Sequence, residues 1–200
     1  MKKHFLLLVG LFLCITVGAQ DEKYLSKGAV PQDENGMVVF SRTIKLPQGM
    51  DADKVLPVAL DYVKSLQAQG AKDLAKYELD NLYSKIVSDG TEDGSVVARV
   101  EEILVFKKKP LYLDQTCFRY QLIITPVQGG VEAKLCNISY HYNDGSQGHF
   151  ANYKAEEWIA DKVAINKKGT KLYPRSGKFR KKTIDRAENI LQGLEKALCE

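Results

Sequence analysis

Near the C-terminus the chain reads KLYPRSGKFRKKTIDRAENIL, residues 171–191, with Lys171, Arg175, Lys178, Arg180, Lys181 and Lys182 gathered just before an amphipathic pattern. Cations at that density can grip a polyanion, or they can form the solvated approach to a structural helix. A polyanion contact would use Lys178, Arg180, Lys181 and Lys182. A second cluster, His141 and His149 flanking NDGSQG with Asp144 between them, has the residue types of a metal site. Its spacing matches no standard zinc or calcium loop, so an exposed polar turn is the better reading.

Other reactive side chains do not assemble into a recognisable catalytic set. Ser139 or Ser146 with His141 and Asp144 lacks the Gly-x-Ser-x-Gly elbow that presents a nucleophile. Glu101 with Glu102 lies on a predicted strand, where neighbours point to opposite faces, and Glu156 with Glu157 fits the first turn of a helix. No phosphate loop, paired-cysteine motif or dinucleotide fingerprint occurs. Asn137-Ile138-Ser139 matches a glycosylation triplet but falls within a strand, and Trp158, the single tryptophan, reads as core packing. The sequence therefore assigns no catalytic residue, no metal ligand and no cofactor.

The elements that would position these residues begin after an export signal. MKKHFLLLVGLFLCITVGAQ has a basic start, an apolar run from Phe5 to Val17 and small residues Val17 and Ala19, the layout of a signal peptide cut after Ala19. The full chain carries 29 Lys and Arg against 25 Asp and Glu; loss of Lys2 and Lys3, with no acid among the first nineteen residues, leaves 27 against 25. A net charge near +2 is no polyanion-binding signature for the whole molecule. Three cysteines remain, Cys117, Cys136 and Cys199, an odd number that argues against a disulfide scaffold. The expected organisation is a signal peptide at 1–19, a polar lead-in at 20–35 and one domain at 36–200.

Gly36 to Leu46 reads as a strand, and Asp51 can cap a helix that carries Val55, Ala59, Tyr62 or Val63, and Leu66 and ends at Gly70. Residues 71–83 suit either a helical turn or an irregular connection. Strands follow at Ser84–Asp89, Val96–Phe106, Gln115–Val127 and Val131–Tyr142. The last two pair across Gln128, Gly129 and Gly130, with Val127 opposite Val131, Phe118 opposite Tyr140, Tyr120 opposite Ile138 and Leu122 opposite Cys136. That register sends Cys136 into the apolar face, turns Cys117 away from it opposite His141, and keeps the two thiols too far apart to bridge. NDGS is a turn, Ala155–Ala164 a short helix, and Thr183–Leu198 a long helix with one apolar stripe. Helices on one face of a mainly antiparallel sheet of about five strands, in the order β-α-β-β-β-β-α-α, make a two-layer α+β sandwich.

YKAEEWIADKVAINKKGTKL at 153–172, SGKFRKKTIDRAENIL at 176–191 and VVFSRTIKLPQG at 38–49 resemble a family of secreted Bacteroidetes proteins known as a domain of unknown function with a TATA-box-binding-protein-like fold. The resemblance implies that fold and an envelope or extracellular home, and it brings no activity. Fold alone does not license DNA binding, and export removes the usual nucleic-acid partners. The expected role is a non-enzymatic binding or accessory module with an envelope or extracellular partner, no membrane span and an oligomeric state left open. The alternative is a hydrolase of envelope or dietary polymers. The basic stretch reads as a solvated connector, with contact to anionic glycans or lipid headgroups as the second possibility.

Overall fold

The computed structural model describes residues 22–47, 52–143 and 150–200. The segment read as a signal peptide, the expected Asp51 cap and the Asp144–His149 part of the turn lie outside the described residues. The strands are β1 (Phe40–Lys45), β2 (Lys85–Asp89), β3 (Val96–Lys109), β4 (Tyr112–Val127), β5 (Gly130–Asn143) and β6 (Phe150–Lys154). The helices are α1 (Ala52–Ala75), α2 (Ala155–Trp158), α3 (Asp161–Ala164) and α4 (Pro174–Cys199). All strands join one antiparallel sheet in the order β1-β5-β4-β3-β2. β6 also pairs with β5, so β1 against Gly130–Leu135 and β6 against Ser139–Asn143 share one long edge. The α+β sandwich is thus as the sequence implied, with a sixth strand, FANYK, that its alternating exposed and half-buried residues did not advertise.

One face of the sheet is sealed by α1 and α4. Val96, Ala98, Val100, Phe118, Tyr120, Leu122 and Ile124 alternate onto that face and are buried completely, as are Val55, Ala59 and Val63 of α1 and Ala187, Ile190 and Leu194 of α4. Non-directional apolar burial of this kind supplies most of the drive to fold. The other face is open and carries the candidate site.

Three expectations about the helices need correction. Helix α1 does not stop at Gly70: it continues to Ala75 and buries Leu74 one turn later. Gly70 serves close approach, since a Cβ there would collide with the Glu101 carbonyl oxygen of β3. Helix α4 begins at Pro174, not Thr183. Proline suits a first helical turn, and the buried stripe runs back through Ser176, Phe179, Arg180 and Thr183. Residues 155–164 form two single-turn helices separated at Ile159 and Ala160. The lead-in packs on the domain: Lys23 pairs with Asp185 and Glu188 of α4, and Val30 is buried.

The β4–β5 register holds at the open end, with Phe118 opposite Tyr140 and Cys117 opposite His141, but slips by one nearer the turn. Leu122 faces Leu135 and Val127 faces Gly130, because β5 carries an extra residue between Arg119 and Gln121 of its partner. Asn137, at φ 50°, takes up that residue. An extra residue in one strand swaps the faces of everything beyond it. Val131, Ala133 and Leu135 reach the core on one side of Asn137, and Ile138, Tyr140 and Tyr142 on the other. Cys136 is consequently half-buried rather than a core residue.

A pocket on the open face

Strand register builds the candidate site. Ile103 pairs with Cys117, Cys117 with His141, and His141 with Asn152, so one row crosses β3, β4, β5 and β6 on the open face. Ile103, Cys117 and His141 of that row floor a cavity of about 430 Å³. The α1–β2 connection contributes Tyr77 and Leu79 to its wall, Phe150 stands at the β6 side, and Tyr112 and Leu113 close the end toward the β3–β4 turn. The segment 71–83, ambiguous in the sequence, is thus helical to Ala75 and then forms a turn, with Glu78 at φ 57°, that delivers Tyr77 and Leu79 to the pocket.

The chemistry of the floor is subdued. Cys117 is buried, and that burial pushes its thiol up to about 11, with the Glu101 carboxylate adding to the shift and Arg119 opposing it. A thiol, not a thiolate, therefore faces the pocket at neutral pH, and the thiolate is the nucleophilic form. The imidazole is tied down: His141 Nδ1 lies 2.8 Å from Asn152 Oδ1, and its ring stacks on Phe150 with centroids 4.7 Å apart. Thr116 Oγ1 lies 3.1 Å from the carbonyl oxygens of both Cys117 and His141 and fastens β4 to β5 beneath them. Gln115 Oε1 is buried in the wall and finds no donor among the described residues.

A built network stands behind the pocket. Lys178 of α4 donates to both Asp114 oxygens, at 2.7 and 2.9 Å, and to the Tyr142 hydroxyl at 2.7 Å. Its ammonium also sits over the rings of Phe106 and Tyr142, 4.7 and 4.6 Å from their centroids. Burial works against its charge, but the bonds to Asp114 and Tyr142 outweigh that and hold Lys178 above the ordinary lysine value.

The four cations proposed as a polyanion patch are not brought together on one surface. Lys178 turns inward to Asp114, and Arg180 is wholly buried, donating to the carbonyls of Tyr24 and Ile159 at 2.7 and 2.8 Å beside Asp161. Lys181 lies over the Tyr24 ring, and Lys182 is exposed. The solvated-connector reading fails too, since these residues form the first turns of α4. Glu101 and Glu102 do point to opposite faces, and each is buried against an arginine: Glu101 against Arg119 at 2.6 Å, Glu102 against Nε and Nη2 of Arg186, each at 2.7 Å. Glu156 Oε1 accepts from the Val38 backbone, and half-buried Trp158 stacks on Tyr153. Ser139 sits on the open face and Cys199 is exposed. Among the described residues no three His, Cys, Asp or Glu side chains converge as metal ligands.

Comparison with known proteins places this geometry. A family model described as a domain of unknown function (DUF4468) with TBP-like fold matches residues 40–141. The crystal structure of a DUF4468 family protein from Bacteroides ovatus ATCC 8483 has a TM-score of 0.73 at 32% identity, over 89% of this chain and 94% of that one. A TBP-like protein from Parabacteroides distasonis ATCC 8503 has a TM-score of 0.58 at 19% identity, over 85% of this chain and 97% of that one, a likeness of fold alone. No curated protein matches the sequence.

Proposed function

The chain belongs to the DUF4468 family, a domain of unknown function with a TBP-like fold, and we propose that it is a non-enzymatic binding module of the cell envelope or exterior that holds a small, hydroxyl-bearing ligand in the open-face pocket. The basic, apolar and small segments of residues 1–20 support export. One observation carries the binding reading: the floor sets a thiol beside an imidazole, yet burial keeps Cys117 protonated and Asn152 holds His141, so the pair is not poised as nucleophile and base. What the cavity offers instead is Tyr77, Tyr112 and Phe150 as apolar faces and Gln115 and Asn143 as polar wall residues, inside a volume suited to a small molecule. A short neutral glycan has that mixture of C–H faces and hydroxyl donors.

The open face also speaks against nucleic acid. It mixes charges, with Glu101 beside Arg119 and Glu132 beside Lys134, and its Tyr83 is covered by Arg99 and Arg119. Phe118 is buried on the helix face and is not available as a wedge between bases. No described helix is long and apolar enough to cross a membrane.

Ligand-observed NMR with a panel of short neutral glycans tests the proposal. Binding is expected for the wild type and should be lost in Ile103→Trp, which fills the cavity, and weakened in Gln115→Ala, with both variants melting near the wild type. Turnover of a glycan that disappears in Cys117→Ala would overturn the non-enzymatic reading, and a panel without any binder would overturn the ligand class.

A further inference from the structure

Beyond Val105 and Gln115, β3 and β4 pair only with each other and run out as a two-stranded ribbon to a two-residue turn, Pro110–Leu111. Its tip inverts the usual surface pattern. Leu111 is 108% exposed, and Tyr112 and Leu113 are 53% and 40% exposed beside it. Lys107, Lys108 and Lys109 approach the turn on the opposite strand, all exposed and without an ion pair among the described residues. The backbone adds a second sign. Proline followed by a positive φ is the pattern of a type II turn, whose second central position wants glycine or asparagine. Here a leucine holds φ 63° and gains no burial from it. A side chain kept outside against both conformation and solvation fits a surface that takes it in.

We propose that the β3–β4 tip is an anchor for an anionic bilayer surface, with Lys107, Lys108 and Lys109 on the phosphate headgroups and Leu111 and Tyr112 entering the acyl boundary. Charge complementarity selects this occupant over a second copy of the chain, since two such tips would bring six lysines together. Basic residues near a negatively charged leaflet add to binding together, and a few apolar side chains set the depth without spanning the bilayer. The ribbon is aimed as well as exposed, because its base is pinned where Asp114 meets Lys178 and Tyr142. Tyr112 and Leu113 also wall the pocket, so a docked tip would hold the pocket mouth at the lipid surface.

The test is co-sedimentation of the full chain with vesicles of phosphatidylcholine alone and of phosphatidylcholine with phosphatidylglycerol, using variants in the same full chain so that the N-terminal segment is common to all. The wild type should prefer the anionic vesicles, and that preference should fade with added salt. Replacing Lys107, Lys108 and Lys109 together with glutamine should lower the anionic partition on the order of a hundred-fold. Leu111→Asp should lower it about ten-fold or more. Leu111→Gly should also weaken it while holding or raising the melting temperature, since it relieves the turn. Equal partition of the wild type on both vesicles, or unchanged partition in these variants, would overturn the proposal. So would a dimer in sedimentation velocity that Leu111→Asp dissolves while vesicle binding stays put.

Discussion

The two faces of one sheet handle the same residue types differently. Glu101 and Glu102 are neighbours on β3 and both are buried, yet Glu102 meets Arg186 through two parallel bonds under α4 while Glu101 meets Arg119 through one bond on the open side. Burial opposes the Arg186 charge, but its bonds to Glu102 prevail and hold its pKa above the ordinary arginine value. The helix-covered face is a packed interior in which each polar group must be matched. The open face tolerates half-exposed Arg119, Gln121, Ile123 and Thr125, and it buries Cys117 at the end where the pocket forms. Stability resides on the helix-covered face, and the recognition we propose falls to the open one.

The largest expected effect sets the faces directly against each other. Leu122→Asp places a carboxylate where Ala98 and Leu135 are its cross-strand neighbours, all wholly buried, and should cost several kcal/mol. Gln121→Asp, one residue along and on the open face, should cost under about 1 kcal/mol. Denaturant midpoints decide the matter, and equal losses would mean the faces are misassigned. Arg186→Met comes next. It strands Glu102 in the interior and should cost about 3–5 kcal/mol, whereas Arg186→Met with Glu102→Met should recover much of that loss. Arg119→Met should cost less, because Arg119 is 30% exposed and water can reach Glu101 once it has gone. Gly70→Ala tests the seam between α1 and β3: the added methyl has to displace the Glu101 carbonyl, and a loss of about 1–3 kcal/mol is expected from thermal melts.

How much of this was legible follows from period and length. The helix face of β4 could be read because Phe118, Tyr120, Leu122 and Ile124 alternate without interruption. In β5 the alternation changes phase: Val131, Ala133 and Leu135 lead, and Ile138, Tyr140 and Tyr142 follow. Glu132 and Lys134 already marked the first phase, so the bulge had a signal that a single straight register overrode. The start of α4 was hidden because Lys178 and Arg180 look like surface residues, although Phe179, Thr183 and Ala187 extend the buried stripe back at four-residue steps. Buried cations matched by carbonyls and a distant Asp114 leave no local pattern. Part of the pocket floor was legible, since the register already set Cys117 opposite His141 away from the apolar face; Ile103 beside them and the walls from the α1–β2 connection and Phe150 were not, because nothing local in the sequence joins them.

Cys117 marks the buried end of the open face and gives a pH signature. Its thiol titrates near 9.0 when unperturbed and at about 11 when folded. A group whose folded value is raised leaves stability intact below the lower value, and stability declines as pH rises through the window between the two. Melts recorded across that window should fall by roughly 1–2 kcal/mol more in the wild type than in Cys117→Ala. Parallel slopes for the two proteins would mean water already reaches the thiol, and the floor would not be dry. Alkylation offers a second measure, since exposed Cys199 should react well before Cys117.

The smallest effect concerns the residue at which β5 changes phase. Asn137 holds φ 50° between the stretches paired with β1 and with β6, and its amide donates to Gln121 Oε1 at 2.6 Å. Asparagine tolerates the left-handed region better than most residues and glycine better still, while a β-carbon without polar help does not. Asn137→Ala should therefore cost about 1 kcal/mol, through strain and the lost hydrogen bond, and Asn137→Gly should stay within about 0.5 kcal/mol of the wild type, because relief of strain offsets that loss. The bulge itself ought to survive both changes, since the apolar phases on either side demand it. Cross-strand amide contacts would then still pair Cys117 with His141 and Leu122 with Leu135. If Asn137→Gly instead lost as much as Asn137→Ala, the side-chain bond to Gln121 would be what sets the register. The division between the two faces would then hang on one exposed amide and not on the apolar pattern of β5.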